Sequence, residues 1–256
     1  MATKKIIAGN WKMNPVSTKE ALALYSGIKK NSARLKQTTA VVFPPAVFLA
    51  TLLDKGVSIK LDLGAQNVFY EEIGAFTGQI SPLMLKNVGA KWVIIGHSEA
   101  RASGDTDLEI NVKILSALKN GFKIILCIGE KTRDAQGKYL AVLQEQLEKA
   151  LVNFPAKKLG QLAIAYEPVW AIGKDATGVE TPDGFLHNSI VIKKTLSQIF
   201  DPKKAKTVPI LYGGSVGVKN AESFLVAGHA DGLLVGRESL DIASFSEILK
   251  IAEKVK

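Results

Sequence analysis

Short runs of consecutive apolar residues recur along the whole chain. In chain order they are KIIAGN (5–10), TAVVFPP (39–45), LDLGAQN (61–67), KWVIIGH (91–97), FKIILCIGE (122–130), LAIAYEP (162–168), VPILYGG (208–214) and ADGLLVG (230–236). Several runs are continuously apolar rather than alternating, such as residues 93–95 and 124–126. A parallel strand that is covered on both faces needs this pattern. The runs therefore predict eight buried parallel strands.

The segments between the runs carry a helical period instead. From Leu140 to Phe154 an apolar residue recurs every three or four positions, with charged residues on the opposite face, and residues 242–252 repeat the pattern. Eight strand–helix units, without a Pro- or Ser-rich linker, indicate the α/β class and one (β/α)8 barrel domain over residues 1–256. The alternative is an open doubly wound sheet, which is disfavoured because no Gly-x-Gly-x-x-Gly follows the first run.

Composition narrows the function classes. The chain is 47% hydrophobic and has no segment apolar enough to span a bilayer, and its N-terminus lacks the apolar stretch of a signal peptide. We therefore expect a cytoplasmic protein. The net charge of +9 comes from dispersed lysines without interleaved aromatics, which indicates solvated helix faces. A positive charge would attract a small anionic substrate. We expect no nucleic-acid partner and no membrane partner.

Cysteine and histidine usage argues against a metal site. A single cysteine, Cys127, excludes a disulfide framework, and three scattered histidines do not form a zinc motif. We expect no metal and no cofactor. Cys127 lies within the fifth run, so we expect it in the core, where it supports the site only by packing.

Polar or glycine-rich residues follow most of the runs. They are Asn10 with Lys12, Gln66-Asn67, Gly96-His97-Ser98-Glu99, Gly129-Glu130, Glu167, Gly213-Gly214-Ser215 and Gly236-Arg237. In a (β/α)8 barrel the C-terminal strand ends meet at one mouth, where the chemistry takes place. These residues therefore predict a polar site at that mouth.

Glu167 ends the sixth run, directly before Pro168. Taken alone, such a glutamate is a surface residue at a routine strand exit, because glutamate is rarely buried without a partner. Its place at the barrel mouth makes it a candidate general base.

His97 and Lys12 follow the fourth and first runs. Ser98 has the character of a helix cap, and the positive end of that helix would disfavour a charged imidazole. A neutral His97 can donate a hydrogen bond to a developing oxyanion, and Lys12 adds a positive charge. Taken alone, Lys12 is a solvated lysine and His97 a structural histidine.

Glycine turns follow the seventh and eighth runs, at YGGS (212–215) and LVGRES (234–239). The loops after these two strands are the usual phosphate site of such barrels. A carboxylate base, a neutral histidine, a lysine and a phosphate cradle fit proton abstraction beside a carbonyl on a small phosphorylated substrate. The chemistry predicted is an aldose–ketose isomerisation.

Six motifs carry a resemblance to a known family: AGNWKMN (8–14), GAFTGQIS (74–81), IIGHSE (94–99), YEPVWAIG (166–173), LYGGSV (211–216) and DGLLVG (231–236). In this order, along the whole chain, they resemble triosephosphate isomerase. The resemblance implies a TIM barrel that interconverts dihydroxyacetone phosphate and glyceraldehyde 3-phosphate without a cofactor. A neutral catalytic histidine is a known property of that family.

The resemblance also implies a role for each matching residue. It makes Glu167 the base, His97 the electrophile, Asn10 and Lys12 the polar substrate-binding pair, and Glu99 the acid that orients the lysine. Gly173, Ser215, Gly236 and the backbone of Arg237 match phosphate contacts. GAFTGQIS is similar to a loop that enters a partner subunit, which implies a homodimer with Phe76 and Thr77 at the contact.

Three segments depart from the family's pattern. The segment after Trp170, which resembles a closing lid hinged at residues 168–170, reads GKDATGVETP and is about two residues longer. The segment after His97 is one residue shorter, with Ala100 and Asp105 where arginine and glutamate are usual. Arg237 replaces the second glycine of the phosphate turn.

The altered lid and Arg237 keep two alternatives open. One is a catalytically idle relative that acts as a phosphate-binding or interaction protein, and the other is a barrel enzyme for a larger sugar phosphate. The presence of Glu167, His97 and Lys12 argues for an active isomerase.

Overall fold

The computed structural model describes residues 4–54, 60–174 and 176–255, and within them eight parallel strands close into a barrel. The strands are β1 (Lys5–Asn10), β2 (Thr38–Phe43), β3 (Leu61–Ala65), β4 (Trp92–Ile95), β5 (Lys123–Ile128), β6 (Leu162–Tyr166), β7 (Ile210–Tyr212) and β8 (Gly232–Val235). Each strand pairs with the next in sequence, and β8 pairs with β1. This closure confirms the (β/α)8 barrel and excludes the open sheet.

Helices follow the strands around the barrel. They are α1 (Thr18–Ser32), α2 (Ala46–Asp54), α3 (Pro82–Asn87), α4 (Ser98–Ala102), α5 (Asp107–Lys119), α6 (Tyr139–Ala150), α7 (Pro182–Ile199), α8 (Pro202–Ala205), α9 (Val218–Val226) and α10 (Ile242–Lys254). Short 3-10 helices form at Ala156–Gln161, Val169–Ala171 and Arg237–Leu240. None of the helices in the described part of the chain is both long and apolar enough to cross a membrane.

The strands are apolar on both faces because each face packs into a different core. Side chains such as Val41, Ile94 and Leu211 form a cluster inside the barrel. Their sequence neighbours, such as Val42 and Ile95, pack outward against the helices. A strand with two buried faces has no polar alternation, which explains the continuous runs in the sequence.

The helical pattern from Leu140 to Phe154 extends past the helix that it predicts. Helix α6 ends at Ala150, and Asn153 has a left-handed φ of 58°. Leu151 and Phe154 are nevertheless buried, because the turn after the helix folds back onto the same core. The prediction of one helix over the whole stretch was therefore wrong by about one turn.

Candidate active site

A cleft of about 750 Å³ opens at the mouth formed by the C-terminal strand ends. Its lining includes the predicted catalytic and substrate-binding residues: Asn10, Lys12, His97, Glu167, Gly173, Ser215, Gly236 and Arg237. The structure therefore brings these residues together from the ends of β1, β4, β6, β7 and β8. Two further predicted residues, Glu99 and Cys127, contact members of this group without lining the cleft themselves.

Glu167 lies directly after β6, and its side chain is only 2% exposed. One carboxylate oxygen is 3.1 Å from His97 Nε2, and the other accepts a hydrogen bond of 2.8 Å from the backbone N–H of Ser98. A buried carboxylate needs such donors. The backbone N–H of Ser98 was not predicted as a partner, since a main-chain donor leaves no mark on residue identity.

Close backbone packing fixes the strand exit that carries Glu167. Its N–H donates to the carbonyl of Ile128 at 2.8 Å. At Gly129 an added Cβ would lie 1.7 Å from the Glu167 carbonyl oxygen. Only glycine therefore allows the backbone after β5 to approach the backbone after β6 this closely.

Cys127 is fully buried inside the barrel, as predicted, directly beneath the carboxylate. Burial, together with the neighbouring Glu167, raises the pKa of the Cys127 thiol well above its usual range. The thiol therefore stays protonated, packs in the core and contacts the Glu167 carboxylate as a weak donor.

His97, rather than Ser98, caps helix α4. The Nδ1 atom of His97 accepts a hydrogen bond of 3.2 Å from the N–H of Glu99, while Ser98 is the first residue of the helix. The prediction of a serine cap was wrong because the imidazole already satisfies the free N–H at this position. Since Nδ1 is an acceptor, the ring nitrogen free to donate is Nε2, which points to Glu167.

Lys12 has a left-handed backbone with φ of 52°, which is uncommon for a side chain of this size. Three contacts hold it there. Its N–H donates to Asn10 Oδ1 at 3.0 Å, its carbonyl accepts from Gln66 Nε2 at 2.8 Å, and its ammonium group is 2.7 Å from Glu99 Oε1. Such strain costs of the order of 1–3 kcal/mol and places the ammonium group at the mouth of the barrel.

Gln66 was noted in the sequence only as a polar residue after the third run, and its role was missed. Its amide donates to the carbonyls of both Lys12 and Phe43, at 2.8 Å each. It therefore ties the loop after β1 to the end of β2. Its position at a strand end was the one signal in the sequence for this role.

The loop after β4 is held in place by charged residues. The Nε of Arg101 donates to the carbonyl of Gly96 at 2.9 Å, and its Nη1 is 2.6 Å from Asp107 Oδ1. Asp105 pairs with the buried Lys113 at 2.7 Å. These pairs hold the short segment that begins with His97.

The glycine turns after β7 and β8 line the other side of the cleft. Ser215 donates from its hydroxyl to the carbonyl of Ala171 at 3.0 Å, which joins this side to the loop after β6. Arg237 begins a 3-10 helix and is exposed, and its guanidinium makes no hydrogen bond or ion pair with any residue that the structure describes. It is not one of the described residues with positive φ, so arginine replaces glycine here without backbone strain.

The remaining predicted residues lie outside the cleft or partly outside the described chain. Phe76 and Thr77 are exposed in the loop between β3 and α3, where the Phe76 ring packs 4.8 Å from Phe69. Of the predicted lid, residues 174 and 176–181 are described, and residue 175 lies outside the described part of the chain.

Comparison with known proteins gives a consistent match. The family profile described as "Triosephosphate isomerase" matches residues 5–252. A protein of Natranaerobius thermophilus with the name "Triosephosphate isomerase" is 41% identical, over 98% of this chain and 97% of its own length. A protein of Dehalococcoides mccartyi with the same name is 44% identical, over 98% of both chains.

Proposed function

Because the chain belongs to the triosephosphate isomerase family, we propose that it interconverts dihydroxyacetone phosphate and D-glyceraldehyde 3-phosphate, a step of glycolysis and gluconeogenesis. The observation that carries the proposal is the contact between a buried carboxylate and an imidazole Nε2, 3.1 Å apart, in a cleft that also holds a lysine. No feature of the site favours the idle relative.

The proposed reaction begins with removal of a proton from carbon. Glu167 takes a proton from the hydroxymethyl carbon of dihydroxyacetone phosphate. The electron pair of the broken C–H bond forms a carbon–carbon double bond, and the π electrons of the carbonyl move onto its oxygen. His97 donates from Nε2 to this oxygen, and the Lys12 ammonium group stabilises its negative charge. The hydroxyl proton on the deprotonated carbon moves, by way of His97, to the former carbonyl oxygen, and Glu167 returns its proton to the former carbonyl carbon. The product is the aldose phosphate, and because only protons move within the substrate, no cofactor is required.

The remaining cleft residues bind and orient the substrate. Asn10, whose amide oxygen accepts from the Lys12 N–H, fixes the lysine backbone and faces the substrate. Gly173, Ser215, Gly236 and the backbone N–H of Arg237 form the phosphate site. Main-chain donors at glycine turns suit a phosphate group because they approach it closely without added bulk.

A coupled assay with D-glyceraldehyde 3-phosphate tests the function. We expect turnover without an added cofactor, and unchanged turnover after chelation of divalent metals. The idle relative would bind phosphate analogues without turnover, and an enzyme for a larger sugar phosphate would act on ribose 5-phosphate instead. The Glu167→Gln variant is the matched negative control, because it keeps the shape of the side chain and removes the base.

Arg237→Gly should change KM by only about two- to fourfold and leave kcat unaltered. The reason is that Arg237 is exposed and contributes its backbone N–H, which glycine also has, so only a screened charge is lost. The difference in KM should shrink as ionic strength rises. Steady-state kinetics at two or more salt concentrations measure it, and a salt-independent loss of affinity would mean that the guanidinium grips the phosphate directly.

The active form is proposed to be a homodimer. Several large apolar side chains are exposed in the loops after β1 and β3 and on α3, namely Met13, Val16, Ile73, Phe76 and Met84. Exposed apolar groups on neighbouring loops indicate a protein contact. A symmetric partner would cover them and would bring Phe76 and Thr77 to the Lys12 loop of the other subunit.

Disruption of the loop tip by Thr77→Arg should give a folded monomer with activity about tenfold or more below that of the parent, because the Lys12 loop loses its support. Sedimentation measures the assembly, and circular dichroism checks the barrel. Val226→Glu is the control, since Val226 is also exposed but lies between β7 and β8, opposite the loop after β3. A fully active Thr77→Arg monomer would contradict the proposed dimer contact.

We assign the protein to the cytoplasm as part of the same proposal. Triose phosphates are charged and do not diffuse through membranes, so an enzyme that uses them works where they are produced. Fractionation of cells that contain the protein tests this location.

A further inference from the structure

A buried charge cluster lies behind the active site, between the loop after β5 and the loop after β6. It contains two carboxylates, Glu130 at 1% exposure and Glu180 at 4%. The Tyr166 hydroxyl lies 2.8 Å from Glu130 and 3.3 Å from Glu180. Burial, together with the two acids, raises the pKa of Tyr166, so its hydroxyl stays protonated and donates to Glu130, the nearer carboxylate. Two buried carboxylates this close to one hydroxyl need a positive charge nearby.

Arg133 supplies this charge. Its guanidinium is 3.1 Å from Glu180 and 3.9 Å from Glu130. Among the residues that the structure describes, it is the only cation within 4 Å of either carboxylate. The guanidinium also lies over the rings of Tyr139 and Trp170, with ring centroids 4.7 and 5.0 Å away.

These contacts join the two ends of the loop between β6 and α7. Trp170 lies near the start of the loop and donates from its indole N–H to Glu130 at 2.8 Å. Glu180 lies at the end, two residues before α7. Arg133 touches both residues, although it belongs to the loop after β5.

Apolar packing does not anchor the far end of this loop. Val179, directly before Glu180, is 82% exposed. Gly178 fits against the Trp170 ring only because it has no side chain: an added Cβ would lie 2.8 Å from the ring. Polar contacts hold this end instead: the Glu180 carboxylate contacts Tyr166 and Asn188, and it forms an ion pair with Arg133.

The same loop controls the reacting groups. Glu167 lies three residues before Trp170, and Gly173 lies three residues after it, in the cleft. Replacement of a buried ion pair by apolar residues often leaves the free energy of unfolding unchanged or raises it, so the pair of Arg133 and Glu180 is weak evidence for a role in stability. Its fixed geometry instead favours one conformation of the loop.

We propose that Arg133 and Glu180 are positioning residues for the isomerisation: together they hold both ends of the β6–α7 loop, and thereby set the positions of Glu167 and Gly173. Neither residue touches the substrate. The inference rests on the proposed function, because it assigns the loop a role in that reaction.

Arg133→Met tests the pair, since methionine keeps an unbranched apolar stem and removes the charge. We expect kcat/KM to fall about tenfold, and the affinity for 2-phosphoglycolate, a small phosphorylated carboxylate, to fall by a similar factor, because loop and base are displaced. Arg133→Lys should recover part of the loss, since it restores the charge without the planar fork. Lys149→Met is the control, because it removes a cation from an exposed ion pair on α6.

A double-mutant cycle separates the pair from its surroundings. Glu180→Gln keeps the side-chain shape and leaves Arg133 its contact with Glu130, so this variant should fold and lose about threefold to fivefold in kcat/KM. Arg133→Met with Glu180→Gln should lose no more than Arg133→Met alone, because the two act as a unit. Losses that multiply would overturn the proposed pairing.

The position of the loop can also be measured without a catalytic assay, by fluorine NMR. With 5-fluorotryptophan incorporated, the Trp170 resonance, assigned through Trp170→Phe, should shift in Arg133→Met in the absence of any ligand. If only the melting temperature falls, while kinetics, inhibitor affinity and the Trp170 resonance match the parent, Arg133 is merely structural and the proposal fails. Lack of isomerase activity in the parent would instead refute the proposed function, and the resonance would still report on the loop.

Discussion

Glu167→Asp is expected to lower kcat by about a hundredfold or more while KM stays within about twofold to threefold of the parent, because loss of one methylene withdraws the base by more than 1 Å. The carboxylate would still be charged, and Ser98 and His97 would still offer hydrogen bonds. The phosphate site at Ser215 and Gly236 is untouched, so substrate affinity should hold. Steady-state kinetics in both directions of the reaction measure the split between kcat and KM.

Comparison of Glu167→Gln with Glu167→Asp separates the effect of losing the base from the effect of shortening the side chain. The amide keeps the length of the side chain and can accept from Ser98, but it cannot take a proton, so kcat should fall by about 10³- to 10⁴-fold. Retained turnover in the glutamine variant would refute the assignment of Glu167 as the base. Equal turnover of the aspartate variant and the parent would show that the position of the carboxylate is not critical.

Lys12→Met is expected to lower kcat/KM by about 10³-fold or more, since the positive charge that stabilises the oxyanion is lost. The effect should appear in both parameters, because the same ammonium group also attracts the anionic substrate. Methionine has a similar length and no charge, and it must adopt the same left-handed φ as the lysine. The loss therefore reports on the ammonium group rather than on backbone geometry.

A second variant separates the effect of losing the Lys12 charge from the effect of leaving Glu99 unpaired. Glu99, 2.7 Å from the ammonium group in the parent, becomes an unpaired negative charge near the anionic substrate in Lys12→Met. The double variant Lys12→Met with Glu99→Gln should recover at most about tenfold, because most of the loss lies in the missing donor. Full recovery would mean that Lys12 only neutralises Glu99, and its assigned role would be wrong.

The barrel and most of the site could be predicted from local sequence, for a physical reason. Each strand buries both faces, so it is visible as an apolar run, and parallel strands in a closed barrel bring all their C-terminal ends to one mouth. Glu167, His97 and Lys12 are far apart in sequence, yet each lies at the C-terminal end of a run or within two residues of it. Their meeting in one cleft follows from the topology alone.

The contacts that tune the site could not be predicted in this way. The pair of Arg133 with Glu180 joins residues 47 positions apart, and both residues look like ordinary surface charges in the sequence. Gln66 binds two main-chain carbonyls, which carry no residue identity. The predicted Ser98 cap was wrong for a similar reason. The orientation of the His97 ring, which the sequence does not reveal, decides that Nδ1 accepts from the N–H of Glu99.

The left-handed backbone at Lys12 also bears on how this protein can be altered. Glycine or asparagine would adopt that φ more easily than lysine, so a change that removes the ammonium group also relaxes the fold. Selection for thermal tolerance alone would therefore favour residues other than the lysine that the proposed reaction uses at position 12. Laboratory evolution of a hardier variant must screen for turnover in every round, since the most stable sequence and the active sequence differ at this position.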